Sequence, residues 1–172
     1  MTSISSDKLT GDLVIAGCGD GAIRLFDKRM PSADSLVLSF EEHKNWVVNV
    51  QLQRGAERRL ISGSTDGDVR FWDSRFTSSV SSIDTDIGTL SALSLHDYCP
   101  IFAVGSESQQ LKTFHTDGTM LSHVRYHEGF LGQRIAPVTS LAFHPNRLLL
   151  SVGGSDQLVS VLMPSAATLV PG

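Results

Sequence analysis

The chain has 172 residues, 41% of them apolar, with 14 basic against 18 acidic side chains and a formal charge of −4. That is enough for one ordinary domain with a sizeable core. The acidic balance argues against a nucleic-acid partner, because neutralising phosphates supplies most of that affinity. No window approaches the roughly 20 consecutive apolar residues of a membrane span, and the opening MTSISSDKLTGDLV lacks the basic-then-apolar order of a signal peptide. Cys18 and Cys99 have no metal-type spacing, and they read as reduced thiols of a cytoplasmic protein.

In chain order, residues 1–12 read as a lead-in, and the first strand is expected at LVIAGC (13–18). AIRLF (22–26) and SLVLSF (35–40) follow as its neighbours across short turns. WVVNVQLQ (46–53), the SGSTDGDVRFWD hairpin (62–73) and SSVSSI (78–83) make the next set. LSALSLHDYCP (90–100), the hairpin VGSESQQLKTFH (104–115) and GTMLSHV (118–124) repeat the pattern. VTSLAFHPN (138–146) and VGGSDQLVSVLM (152–163) begin it once more. Each run alternates apolar and polar residues around Gly/Asp turns, which is hairpin patterning with no convincing helix.

The repeat is internal and regular. Gly17, Gly63, Gly105 and Gly153 stand 46, 42 and 48 residues apart, and Asp20, Asp66 and Asp156 follow three of them at the same distance. Gly17, Gly63, Gly105 and Gly153, with Asp20 and Asp156, are expected at the blade turns, and the glycines of GCGDGA (17–22) are expected to serve the positive-φ positions of one hairpin turn. Three or four short strands every forty-odd residues is the period of a β-propeller blade. The fold class is therefore all-β, a partial propeller of about three and a half blades from a larger ring. The blades fall at 13–41 (partial, without an inner strand), 43–85, 89–126 and 137–163 (without an outer strand), and 164–172 is a divergent tail.

Three chemical readings compete with this architecture. Ser62, His43 and Asp66 are the residue types of a nucleophile triad, but the run around Ser62 is not G-x-S-x-G and leads into a strand, not a helix. GCGDGA (17–22) is half of a dinucleotide fingerprint, yet AIRLF alternates like a strand, so no helix N-terminus meets a pyrophosphate. His123 and His127 share a helix-type spacing in a segment that reads as strand and loop. No catalytic residue, cofactor or metal is expected.

Residues 43–73 resemble a WD repeat, with a histidine before the first strand, Ser-Gly-Ser on the second and Trp-Asp closing the third. The resemblance implies a hydrogen-bonded structural tetrad of His43, Ser62, Asp66 and Trp72, complete in this repeat alone. GDGAIRLFDKRMP (19–31), HKNWVVNVQLQ (43–53), GDVRFWDSR (67–75), GFLGQRI (129–135) and LAFHP (141–145) together resemble the C-terminal WD-repeat region of the raptor family, the regulatory-associated proteins of the TOR kinase. That resemblance implies a non-enzymatic scaffold in TOR complex 1, with the kinase complex's subunits and the rest of its own propeller as protein partners. A generic WD-repeat adaptor is the alternative, and a hydrolase using Ser62 and His43 is the enzyme rival. Tyr126, Phe130 and Arg134, in the long connection at 125–136, are candidate partner-binding residues. The ring implied by the raptor resemblance has seven blades, and an open part of it leaves blade faces and strand edges uncovered, so the 172-residue chain is expected to be poorly soluble or to self-associate.

Overall fold

A computed structural model describes residues 1–7, 11–53, 59–125 and 136–163, which form fifteen strands and no helix among the described residues. They group into four antiparallel meanders. The first contains β1 (Ser3–Ser6), β2 (Leu13–Gly17), β3 (Ile23–Asp27) and β4 (Leu36–Phe40). The second contains β5 (Val47–Leu52), β6 (Arg59–Ser64), β7 (Asp68–Asp73) and β8 (Ser81–Asp84). The third is β9 (Leu90–Leu95), β10 (Ile101–Ser106), β11 (Gln110–His115) and β12 (Met120–Arg125), and the last is β13 (Val138–Phe143), β14 (Leu150–Gly154) and β15 (Val159–Leu162). This is a partial WD β-propeller, all-β as its repeat implies.

The first sheet corrects the sequence reading, which left it without an inner strand. β1 pairs with β2 in register Ser3–Gly17 to Ser6–Val14, so the sheet has four strands. SISS shows only one apolar residue, Ile4, and is too short and polar to register as a strand by alternation. It is held instead by polar bonds: Val50 N–H donates to Ser3 Oγ at 3.2 Å, and Thr2 Oγ1 donates to the carbonyls of Gly17 and Val47.

The core lies between sheets. Ile15, Ile23, Leu25 and Phe40 of the first sheet pack on Val47, Val50, Leu52, Leu60 and Trp72 of the second. Ile61 and Val69 meet Leu90, Leu93 and Phe102 of the third, and Ala103 and Leu111 meet Val138, Leu150 and Val152 of the fourth. A middle sheet is thus buried on both faces. This is why β6 and β10 are continuously buried past their first residue instead of alternating inside and out.

The inner strands are also joined by polar side chains. Asn49 Nδ2 donates to Leu93 O at 2.9 Å, Leu95 N–H to Gln51 Oε1 at 2.8 Å, Ser91 Oγ to Val138 O at 2.5 Å and Phe143 N–H to Ser94 Oγ at 3.2 Å. Each bond satisfies a buried or half-buried polar group that burial would otherwise penalise.

Within GCGDGA it is Gly21 that takes the positive φ expected of the turn, while the repeat glycines do a different job. Gly17, Gly63, Gly105 and Gly153 sit within or at the end of strands, and none has a positive φ. The positive φ falls four residues later, at Gly21 (81°), Gly67 (86°), Gln109 (62°) and Gln157 (66°). What three of the four repeat glycines avoid is collision with the following sheet. A Cβ on Gly17 would lie 2.7 Å from Val47 Cγ1, one on Gly63 2.9 Å from Leu93 Cδ1, and one on Gly105 2.3 Å from Val138 Cγ1. The aspartates three residues on do serve the turns. Asp20 Oδ1 accepts from Ala22 N–H at 3.0 Å, and Asp156 Oδ1 accepts from Leu158 N–H at 3.2 Å.

Candidate functional site

Among the described residues, the most connected polar group is built on the second sheet. Ser62 on β6 lies opposite Arg70 on β7, so the period of two sends Asp68, Arg70 and Trp72 to the same face as Ser62. His43, just ahead of β5, closes over that face. Trp72 Nε1–H donates to Ser62 Oγ at 2.8 Å, and the same oxygen lies 2.7 Å from His43 Nε2. On its other side His43 Nδ1 lies 3.2 Å from Asp68 Oδ2.

The acid beside the imidazole is therefore Asp68 and not Asp66, where the sequence reading placed it. Asp66 belongs to the turn after β6, where its Oδ2 accepts from Asn45 Nδ2 at 3.1 Å. The signal was in the sequence: Asp68, Arg70 and Trp72 are spaced by two, whereas Asp66 precedes the strand.

From Asp68 the network continues outward. Arg70 Nε donates to Asp68 Oδ2 at 2.6 Å, and its NH1 donates to Glu42 Oε2. Glu42 also accepts from Ser79 N–H at 2.8 Å and Ser79 Oγ at 2.7 Å. The chain from Ser62 to Ser79 thus ties the lead-in to β5, both central strands and the turn ahead of β8. Burial pushes the His43 imidazole below its ordinary 6.5; Asp68 opposes this and Arg70 adds to it. Burial pushes Glu42 up, but the two Ser79 bonds and Arg70 outweigh it and leave the carboxyl below its usual range. Burial is likewise outweighed at Asp66, by Ser64, Asn45 and the Asp68 N–H.

This arrangement binds side chains to one another and offers nothing to a substrate. Ser62 is fully buried, with its oxygen engaged by both Trp72 and His43, so it has no path to an external carbonyl. GCGDGA leads into β3, and no helix follows it. His123 Nε2 lies 3.2 Å from Gln110 Oε1, and His127 lies outside the described residues. No group of three metal-type ligands occurs among the described residues. Among those residues no helix is long and apolar enough to cross a membrane. Tyr126, Phe130 and Arg134 also lie outside the described residues.

The other sheets fill the same place differently. Arg24, Arg70 and Lys112 each follow the repeat glycine by the same interval. Arg24 NH2 bonds Asp20 Oδ2 and its NH1 bonds Cys18 Sγ, both at 2.8 Å. Lys112 is only 4% exposed, and its ammonium donates to Thr85 O at 2.8 Å and Asp86 O at 2.5 Å. Asp86 stands four residues ahead of β9, as His43 stands four residues ahead of β5. The lysine therefore holds by carbonyls the link that His43 holds by its ring.

His96 is a second buried ring that sequence reasoning passed over. Its Nδ1 accepts from Tyr98 N–H at 3.1 Å and Cys99 N–H at 3.0 Å, while Nε2 reaches Arg147 O at 3.2 Å on the fourth sheet. Two donors on Nδ1 leave the proton on Nε2, so the ring clips neighbouring turns together. Cys18, buried, and Cys99, half-buried, are free thiols.

The comparisons with known proteins agree with this geometry. A family model described as WD domain, G-beta repeat, matches residues 34–73 and 129–161. The protein raptor homolog of Dictyostelium discoideum is 37% identical over 94% of this chain and 11% of its own length. The target of rapamycin complex 1 subunit mip1 of Schizosaccharomyces pombe is 38% identical over 89% of this chain and 12% of its own. A ribosome biogenesis protein WDR12 homolog of Arabidopsis thaliana, by contrast, is 33% identical over only 42% of this chain and 17% of its own. The crystal structure of Chaetomium thermophilum Raptor superposes at a TM-score of 0.83 with 34% identity, covering 95% of this chain and 16% of that one. A computationally designed protein, Ika4, shares the fold alone, at a TM-score of 0.71 and 22% identity over 95% of this chain and 91% of that one. The chain spans about a tenth of the length of the curated raptor-type relatives it matches. Sequence and fold together place this chain with the WD-repeat region of the raptor proteins.

Proposed function

We propose that this chain is the WD-repeat portion of a non-enzymatic, cytoplasmic scaffold subunit of TOR complex 1, where it supports assembly of the kinase complex and presentation of its substrates. One observation carries the reading: the likeness to raptor-type subunits runs through 89–94% of the chain, blade after blade. A generic WD-repeat adaptor is the weaker reading, because the likeness to ribosome biogenesis proteins covers 42–57% of the chain against 89–94% for the raptor-type subunits. The most connected polar side chains are consumed in holding a blade together, which suits a binding surface better than a reaction centre. The partner contact is assigned to Tyr126, Phe130 and Arg134, three interface-type residues in one long connection.

The test is an exchange. The matching WD-repeat segment of the fission-yeast subunit is replaced by this chain, and growth and co-purification of the TOR kinase are followed. Support for growth with the kinase retained is the expected result, and triple alanine substitution of Tyr126, Phe130 and Arg134 is expected to lower the retained kinase. A chimera that accumulates normally but brings down no kinase overturns the reading.

A further inference from the structure

Trp46 carries a side chain that the blade architecture does not require. Val47, Leu90 and Val138 pair with Ser64, Ser106 and Gly154, each the residue after a repeat glycine. The residues just ahead of them, Trp46, Thr89 and Pro137, therefore hold equivalent places. Each does the same backbone work, its carbonyl accepting an N–H from a turn of its own sheet. Thr65 N–H donates to Trp46 O at 2.9 Å, Glu107 N–H to Thr89 O at 3.3 Å and Ser155 N–H to Pro137 O at 2.9 Å. A threonine and a proline suffice for that bond. The indole is additional, and it is 64% exposed, whereas Trp72 of the same sheet is buried.

The ring is nonetheless held in one place. Its carbonyl is bound to Thr65, and the next residue, Val47, donates its N–H to Cys18 O at 3.1 Å, so turns on both sides fix the backbone. The first sheet's turn packs tightly against the same segment: a Cβ on Gly21 would lie 2.3 Å from His43 O and 3.3 Å from Asn45 O. A Cβ on Gly19 would lie 3.8 Å from Cδ2 and Cε2 of the indole and 3.9 Å from Nε1. Three nearly equal distances mean that the ring lies face-on to this glycine. One face of the indole is backed by main chain, and its exposure comes from the other. A rigid, backed aromatic loses little freedom when a partner covers it.

Carboxylates flank this ring. Asp20 follows Gly19, and Arg24 offsets its charge at 2.8 Å. Asp66 follows Thr65, the residue bonded to Trp46, and is exposed. The donors to Asp66 are neutral, Asn45 Nδ2 at 3.1 Å and the Asp68 N–H at 3.4 Å, so they leave its negative charge in place. Lys44, exposed on the same lead-in, is the opposing cation.

We propose that Trp46 anchors a docking site for an arginine-bearing segment of a partner protein, the guanidinium lying over the free face of the indole with Asp66 beside it. A guanidinium is planar, weakly hydrated and permanently charged, so it stacks on an indole while pairing with a carboxylate. An acidic segment would meet repulsion from Asp66, and an apolar one would desolvate that charge without pairing it. The site is built from residues 19–66, where the first sheet meets the second. It does not rest on the TOR-complex reading, and either can fail without the other.

The probe is a fluorescein-labelled peptide, GSRGRSG, titrated with the 172-residue chain and followed by anisotropy. Saturable binding that weakens as salt rises is expected, with none for the acidic counterpart GSEGESG. Trp46→Thr installs the residue type of the sister position Thr89. Circular dichroism and melting are expected to be unchanged, while the dissociation constant rises about tenfold. Asp66→Asn is expected to weaken binding less, by an amount that vanishes at high salt, and Lys44→Gln to tighten it. Failure of the wild-type chain to bind the arginine peptide overturns the proposal, as does equal binding by the Trp46→Thr variant. A Trp46→Thr chain that melts early or loses its circular dichroism shows the indole to be structural and overturns it too. Equal binding of the acidic peptide overturns the assigned partner charge.

Discussion

The hydroxyl oxygen of Ser62 accepts the indole N–H of Trp72 at 2.8 Å and stands 2.7 Å from His43 Nε2, so one buried oxygen joins two strands and the segment that leads into a third. Nδ1 of the same ring lies 3.2 Å from Asp68 Oδ2 without an aligned hydrogen bond, so the hydrogen-bonded relay runs through Trp72, Ser62 and His43 Nε2. Burial makes such a relay stabilising only while every member is present.

Ser62→Ala removes the shared oxygen and strands both Trp72 Nε1 and His43 Nε2. The expected loss is about 1–3 kcal/mol of unfolding free energy. Urea unfolding followed by the fluorescence of buried Trp72, in a Trp46→Phe background that removes the exposed reporter, measures it. An unchanged midpoint with an unchanged slope would refute the structural role.

The stability of the chain is expected to fall as pH drops below about 6.5. Burial holds the folded His43 imidazole below its ordinary 6.5, so beneath that value the unfolded chain takes up a proton that the folded chain refuses. The contribution is whole above 6.5 and declines on the acid side by at most about 1.4 kcal/mol per pH unit, until the folded ring itself titrates. Asp66 and Glu42, both held low, lose their contributions only further down, below their ordinary 3.8 and 4.5. Denaturation midpoints between pH 8 and pH 5 check this: His43→Asn lowers the plateau and flattens the slope below 6.5.

Glycine substitutions separate the two roles that the repeat combines. Gly105→Ala drives a methyl group to 2.3 Å from Val138 Cγ1, and overpacking of this kind costs about 1–3 kcal/mol. Gln109→Gly, four residues on, relieves a left-handed backbone of φ 62° and is expected to stabilise by about 0.5–1 kcal/mol. Opposite shifts in melting temperature are the expected outcome. Equal tolerance of alanine at Gly105 would refute the packing role.

Lys112→Met takes away the donor to Thr85 O and Asp86 O, leaving a buried carbonyl without its ammonium partner. A loss of about 1–3 kcal/mol is expected, seen as a lower urea midpoint at constant slope. Lys112→Arg, which restores the residue type of the sister position Arg70, is expected to recover part of it.

Much of this was legible in the chain itself. The recurrence of Gly17, Gly63, Gly105 and Gly153 and the alternation around them determined a blade-type repeat, because side-chain direction in a strand depends on nothing but the count of residues. The same count, applied to Asp68, Arg70 and Trp72, would have named Asp68 as the carboxylate on the Trp72 face. The likeness to raptor-type WD repeats was likewise carried by local motifs such as GDVRFWDSR and LAFHP.

Other features became visible only in three dimensions. β1 carries almost no apolar signal, and its place is decided by polar bonds that join Thr2 to Gly17 of its own sheet and Thr2 and Ser3 to Val47 and Val50 of the second. The repeat glycines looked like turn residues because they stand beside turns, yet three of the four are required by Val47, Leu93 and Val138 arriving from the neighbouring sheet. Lys112 and His96 gave no warning of burial, since Lys112 is held by carbonyls more than twenty-five positions away and His96 combines local amides with the carbonyl of Arg147 on the fourth sheet. The sequence determined what each blade is, through period and turn chemistry that act within a few residues. The tertiary structure alone decided what each blade touches, because packing distances between sheets depend on residues thirty or more positions apart.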